Sequence, residues 1–227
     1  MSPGRPIWVK ICANTALQDA QMAADAGANA VGFVFAPSPR RVTKAQVAAI
    51  TPHLPSALEK VGVFVDAGFE EISATVCDCG LTGVQLHSGG GPGLPAQLRE
   101  RFGSQLRILR VVLFGPDAAE QAKKLASDPN IDGILVDSRT ETAAGGTGLT
   151  FDWNAARSWI FGRPGAASLI AAGGLTPDNV REAIAMLQPW GVDVASGVEA
   201  APGRKDSEKI RAFVSNARNA GSILKPI

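Results

Sequence analysis

Short runs of β-branched and aliphatic residues alternate along this chain with longer, Ala-rich amphipathic stretches, separated by loops rich in Gly, Ser, Thr or Pro. Eight of the apolar runs read as strands: Ile7–Cys12, Ala30–Phe35, Lys60–Val65, Gly83–His87, Arg107–Leu113, Gly133–Asp137, Ser168–Ala172 and Val192–Ser196. Most are continuously apolar instead of alternating, the pattern of parallel strands covered on both faces. Between them the spacing predicts helices. Thr15 is placed to N-cap Ala16–Ala26, with Gly27 as the stop. Thr43 precedes Lys44–Thr51, Gly68 and Gly80 bracket Phe69–Cys79, and Pro116 or Asp117 opens Ala118–Ser127. Thr176-Pro177 reads as an N-cap with proline in the first helical position, opening Asp178–Leu187. Asp206–Ala220 comes last, and segments near 93–103 and 153–160 fill the remaining places less clearly.

Strand–helix alternation at this spacing implies right-handed βαβ units. Eight of them in 227 residues fit one closed (β/α)8 (TIM) barrel, a single α/β domain that typically takes roughly 200–250 residues. The rival is an open doubly wound sheet. It has fewer strands as a rule, and it tends to carry G-x-G-x-x-G after the first one. Here the first strand runs into Lys10-Ile-Cys-Ala-Asn-Thr15, without that glycine loop.

Composition narrows the function classes. With 22 Lys+Arg against 21 Asp+Glu the net charge is +1, so there is no basic surplus of the kind a nucleic-acid partner demands. A small anion needs only one local pocket, and near-neutrality leaves that open. No run reaches the roughly 18 apolar residues of a membrane span, and Met1-Ser-Pro-Gly-Arg-Pro lacks a signal-peptide core. The expectation is a cytoplasmic protein without membrane partner. Three cysteines make a poor disulfide framework. Cys77-Asp-Cys79 has no second Cys/His pair at zinc spacing, so no metal is expected.

A barrel of this kind works at the C-terminal ends of its strands. Those ends carry Cys12, Arg40 with Arg41, His87, Asp137, Gly173-Gly174 and Ser196-Gly197. The last two pairs follow strands seven and eight, where small residues let backbone N–H groups approach a phosphate. Asp137 ends the apolar run Ile134-Leu-Val136, which would desolvate its carboxyl and suit it to hold and donate a proton. Cys12 is a candidate base, although a strand-end cysteine is more often a small buried hydrophobe. Ser38-Pro-Arg40 suggests a guanidinium turned inward to grip a carboxylate in bidentate fashion. His87 reads as a polar liner against a ligand ring. The stretch from Ser138 to Asp152, with Ala144-Gly-Gly-Thr-Gly148, reads as a cover over the mouth.

Several ordered motifs resemble those of the phosphoribosylanthranilate isomerase family. They are Val9-Lys-Ile-Cys-Ala-Asn-Thr15, Val31-Gly-Phe-Val-Phe35 with Ser38-Pro-Arg40, Val84-Gln-Leu-His87 and Leu135-Val-Asp137. Gly145-Gly-Thr-Gly148 with Phe151-Asp-Trp153, Ala172-Gly-Gly-Leu175 and Val192-Asp-Val-Ala-Ser-Gly-Val-Glu199 followed by Pro202-Gly-Arg-Lys-Asp206 complete the set. The resemblance implies an Amadori rearrangement in tryptophan biosynthesis, by a monomer or homodimer, on a small phosphorylated substrate and with no cofactor. It makes Asp137 the general acid and Cys12, as thiolate, the general base. Arg40 would hold the anthranilate carboxylate, and Gly173, Gly174, Ser196 and Gly197 the phosphate. A free thiol, near pKa ~8.5, needs depression to be mostly thiolate at neutral pH. The family usually has glycine where this chain has Ala13 and Ser88, so a requirement for positive φ at either would bring strain. Two alternatives stand beside this reading. The related isomerase of histidine biosynthesis resembles a two-aspartate mechanism, with a carboxylate at the place of Cys12. A non-catalytic phosphate sensor would have no use for Cys12 and Asp137 together.

Overall fold

Eight parallel strands pair in chain order, and the first also pairs with the eighth, so the sheet closes into a barrel. The computed structural model describes residues 6–87, 91, 93–138, 152–162 and 168–224. The strands are β1 (Trp8–Ile11), β2 (Ala30–Val34), β3 (Glu59–Phe64), β4 (Gly83–Leu86), β5 (Arg107–Leu113), β6 (Gly133–Asp137), β7 (Leu169–Ala171) and β8 (Gly191–Val194). The helices are α1 (Leu17–Asp25), α2 (Lys44–Ile50), α3 (Phe69–Cys79), α4 (Leu94–Phe102), α5 (Ala118–Ala126), α6 (Trp153–Ala156), α7 (Val180–Leu187) and α8 (Ser207–Gly221). None of the described helices is long and apolar enough to cross a membrane.

Successive side chains on a strand face opposite ways, and here both faces are buried. Trp8, Ala30, Val61, Leu109, Val111, Leu135, Ile170 and Ala172 fill the barrel interior. Their neighbours one position along, such as Val9, Val31, Ile108 and Ile134, pack outward against the helices. This double burial is why the strands read as continuous apolar runs.

The N-terminal end of the barrel is plugged. Trp8 and Trp190 stack with ring centroids 5.2 Å apart, and Arg107 lies 5.4 Å over Trp190. Glu59 pairs with Arg107 at 2.7 Å and accepts the Trp8 indole N–H at 3.2 Å. The Glu59 carboxylate thus ties the Arg107 guanidinium and the Trp8 indole together.

Some helix starts differ from the predicted ones. Thr15 does not cap α1, whose N-cap Ala16 makes no side-chain capping bond. The Thr15 hydroxyl instead donates to Gly203 O at 2.6 Å, drawn away by a tertiary acceptor. α7 begins at Val180, two residues later than Thr176-Pro177 suggested. Asn179 takes the local bonds there, accepting from Thr176 N and donating to Gly174 O. The expected capping of α2 is present, with Thr43 and Gln46 bonding reciprocally, and Asp206 caps α8 by accepting from Glu208 and Lys209 N–H. An element absent from the sequence reading is the short antiparallel hairpin of β9 (Glu199–Ala201) and β10 (Arg204–Lys205), which follows β8 at the mouth. The glycine-bearing cover at 139–151 and Ser88 lie outside the described residues.

Candidate active site

Cys12 follows β1 directly, and its N–H donates to Val194 O at 2.7 Å, which ties the turn to β8. Only 5% of it is exposed. Two residues earlier on the same interior face, Lys10 is wholly buried. Its ammonium reaches Asp193 Oδ1 at 2.7 Å and Gln85 Oε1 at 2.8 Å, and its stem lies beside the Cys12 sulfur where both adjoin Gly32. Gln85 in turn meets His87 Nε2 at 3.1 Å. A polar chain therefore runs from Asp193 through Lys10 and Gln85 to His87, across the interior from β8 to β4, with the Cys12 thiol beside it.

Burial dominates the electrostatics. It pushes the Cys12 thiol up from its ordinary value; Lys10 pulls down, Asp193 adds to the rise, and burial prevails. The depression that a thiolate at neutral pH would need is thus absent from the resting barrel, where burial favours the thiol. Burial alone would discharge Lys10, but Asp193 and the neighbouring sulfur overcome it and hold the ammonium above the usual lysine range.

The turn after Cys12 carries the strain that a missing glycine would bring. Ala13 has φ +62°, in the left-handed region, where an L side chain costs roughly 1–2 kcal/mol. The next residue holds it there. Asn14 is fully buried, its N–H donates to Gly32 O at 2.9 Å, and its side-chain amide donates to Ile11 O and Gly32 O.

Asp137 ends β6, three strands from β1 on the side that passes through β7 and β8. It is 2% exposed. Gly173, at φ +79°, closes over it: a Cβ there would lie 2.6 Å from Asp137 Oδ1. A glycine is required twice over, by the turn and by the carboxyl beneath it.

Gly173-Gly174 and Ser196-Gly197 come together as the sequence suggested. Gly197 packs against the Leu175 carbonyl so closely that no side chain fits. Ser196–Val198 forms a single 3-10 turn, whose first N–H groups have no partner within it. Among the described residues, the Gly173 and Gly174 N–H groups meet no backbone acceptor. Two sets of donors thus sit side by side, an arrangement suited to an anion.

Arg40 is mostly buried and turned inward, while Arg41 is exposed. The inward fork grips an internal carboxylate: Nε and Nη2 each lie 2.8 Å from Glu199 oxygens. Lys205 also reaches Glu199, at 3.3 Å, and the Ala195 carbonyl, at 2.9 Å. Burial would raise the Glu199 carboxyl, but Arg40 and Lys205 bring it below the usual carboxylate range. Lys10, Gln85, Asp193, Glu199 and Lys205 were not among the sequence candidates. For Lys10, Gln85 and Asp193 a signal existed: each is a polar residue inside an otherwise apolar strand. Cys77 is exposed and Cys79 buried on α3, so the two thiols face apart. Among the described residues, no group of three or more His, Cys, Asp or Glu could hold a metal ion.

Fold and mouth together define the class: this is a (β/α)8-barrel enzyme with its polar groups gathered at the C-terminal strand ends. The model of N-(5'-phosphoribosyl)anthranilate (PRA) isomerase matches residues 9–216, and the chain belongs to that family. The N-(5'-phosphoribosyl)anthranilate isomerase of Pelobacter propionicus is 41% identical over 217 residues, covering 95% of this chain and 98% of that one. The crystal structure of the Thermotoga maritima phosphoribosyl anthranilate isomerase is similar at TM-score 0.79 and 34% identity, covering 94% and 99%. A phosphoribosyl anthranilate isomerase in complex with reduced 1-(o-carboxyphenylamino)-1-deoxyribulose 5-phosphate matches at TM-score 0.76 and 34% identity, with the same coverage.

Proposed function

We propose that this chain converts N-(5'-phosphoribosyl)anthranilate to 1-(2-carboxyphenylamino)-1-deoxyribulose 5-phosphate, an Amadori rearrangement of cytoplasmic tryptophan biosynthesis. The observation that carries the reading is the pairing of Cys12 and Asp137 at strand ends of one mouth, in a chain of this family. Asp137 protonates the ribose ring oxygen, the C1–O bond breaks, and the anilino nitrogen supplies the electrons for a C1 iminium. The Cys12 thiolate then takes the proton from C2, and that C–H electron pair moves toward the iminium to give an enolamine, which tautomerises to the ketone. The cationic iminium acidifies C2 and favours the thiolate beside it, which offsets the burial that keeps Cys12 protonated at rest.

Arg40 receives the anthranilate carboxylate with its plane set by Glu199. The N–H groups of Gly173, Gly174, Ser196 and Gly197 receive the phosphate, and His87 lines the space near the aromatic ring. No metal or organic cofactor enters these steps. Purified protein mixed with phosphoribosylanthranilate should abolish the fluorescence of that substrate. Unchanged fluorescence, under conditions where a known isomerase turns over, would sink the reading.

A further inference from the structure

The mechanism above leaves a wholly buried ammonium unused. Lys10 donates to Asp193 and Gln85, which takes two of its three donors, and its stem lies beside the Cys12 sulfur. The barrel makes room for this contact. A Cβ on Gly32, facing inward from β2, would lie 2.6 Å from Cys12 Sγ and 3.0 Å from Lys10 Cε. Gly32 is thus the recess in which both side chains meet. Asp193 is the register partner of Lys10 on β8, so the two charges lie level, two positions before the thiol of Cys12.

We propose that Lys10 is a positioning residue of the reaction: held charged by Asp193, its ammonium fixes the Cys12 sulfur at the mouth and stabilises the thiolate that takes the C2 proton. The inference rests on Cys12 being the base. A buried ion pair is weak evidence for stability, because desolvation offsets much of its attraction. A cation held beside a sulfur has a specific consequence, since it favours the thiolate over the thiol. The charged groups facing Cys12 are Lys10 on its own strand, Asp193 on β8 and Lys205 on β10. His87 is linked to Lys10 through Gln85. Lys10 shares the Gly32 recess with the sulfur, and its charge pulls the thiol down while Asp193 pushes it up.

The test reads the thiol directly. In a Cys77→Ala, Cys79→Ala background, the ultraviolet absorbance of the Cys12 thiolate is titrated against pH, with kcat/KM measured over the same range. Lys10→Met should move the Cys12 transition up by at least about one pH unit, leaving roughly tenfold less thiolate below it. The rising limb of kcat/KM should shift with it, and Lys10→Arg should recover part of both. Lys10→Met strands Asp193, so the neutral double variant Lys10→Met, Asp193→Asn guards against misfolding and should shift the same way. An unmoved titration in either folded variant overturns the proposal. So does failure of the double variant to fold, since a pair kept to tune a thiol should be replaceable by neutral groups of similar shape. The titration is independent of turnover. A shifted thiol with undisturbed kcat/KM would refute Cys12 as the base, while an unshifted thiol refutes only the role of Lys10.

Discussion

The two ends of the barrel both bury charge, and they do so to different effect. At the N-terminal end, Glu59 and Arg107 are partly exposed, and two tryptophans cover them. Glu59 there pairs with Arg107 and accepts from Trp8. At the mouth, a fully buried Lys10 pairs with a nearly buried Asp193 beside a thiol, and Asp137 lies three strands away. The loops there hold backbone N–H groups without a backbone acceptor and a residue in left-handed backbone geometry. The plug satisfies its groups and so stabilises. The mouth keeps strain and unspent donors, which is the usual signature of a functional end.

If that division holds, changes at the plug should cost stability and spare chemistry. Trp8→Ala removes an almost fully buried ring and is expected to cost about 3–5 kcal/mol of unfolding free energy. In the fraction still folded, kcat should stay within about twofold of wild type; a loss of about 100-fold with the fold intact would erase the distinction.

The converse holds at the mouth. Asp137→Asn keeps the shape but removes the transferable proton, so kcat should fall at least about 100-fold with substrate binding largely kept. Near-normal kcat would remove Asp137 from the mechanism. Arg40→Met should weaken binding of a product analogue by roughly 1.5–3 kcal/mol, the scale of a charge-assisted hydrogen bond. A larger effect from Arg41→Met than from Arg40→Met would assign the carboxylate to the wrong arginine. The smallest effect belongs to Ala13→Gly. Relief of the left-handed strain, roughly 1–2 kcal/mol, is opposed by the loss of a buried methyl, about 0.8 kcal/mol, and by the greater chain entropy of glycine, roughly 0.5–1 kcal/mol. Tm should therefore move by less than about 3 °C. A larger rise would mean that the turn stores more strain than its backbone angle shows.

The sequence made the barrel legible because parallel strands buried on both faces leave continuous apolar runs. Their C-terminal ends then fell within a residue or two of the observed ones. The strand-end residues Cys12 and Asp137 followed from that placement. The β9–β10 hairpin did not, because three- and two-residue strands leave no periodic trace. Its Glu199 and Lys205 went unseen with it. Thr15 and Thr176 misled for a related reason: a threonine before an apolar run signals a cap, but in the fold Thr15 finds its acceptor at Gly203, nearly the whole chain away. Asp193 and Lys10 showed as charges within apolar strands, yet only the strand register shows that they face each other. The upward push on the Cys12 thiol is equally invisible in sequence, since it comes from burial by parts of the chain distant in order.

The central claim is that Cys12 removes the C2 proton, and the most direct measurement is the turnover of Cys12→Ser. Serine is nearly isosteric but does not ionise at neutral pH, so a packing role would leave activity close to normal. The variant should fold with a Tm near that of wild type and bind a product analogue, while kcat falls by about 100-fold or more. In the wild type, kcat/KM should climb with pH through the neutral and mildly alkaline range, because the free thiol sits above its ordinary value and its base form grows as protons leave. Full activity in folded Cys12→Ser would contradict the account, leaving the barrel and the family intact and the mechanism without its base.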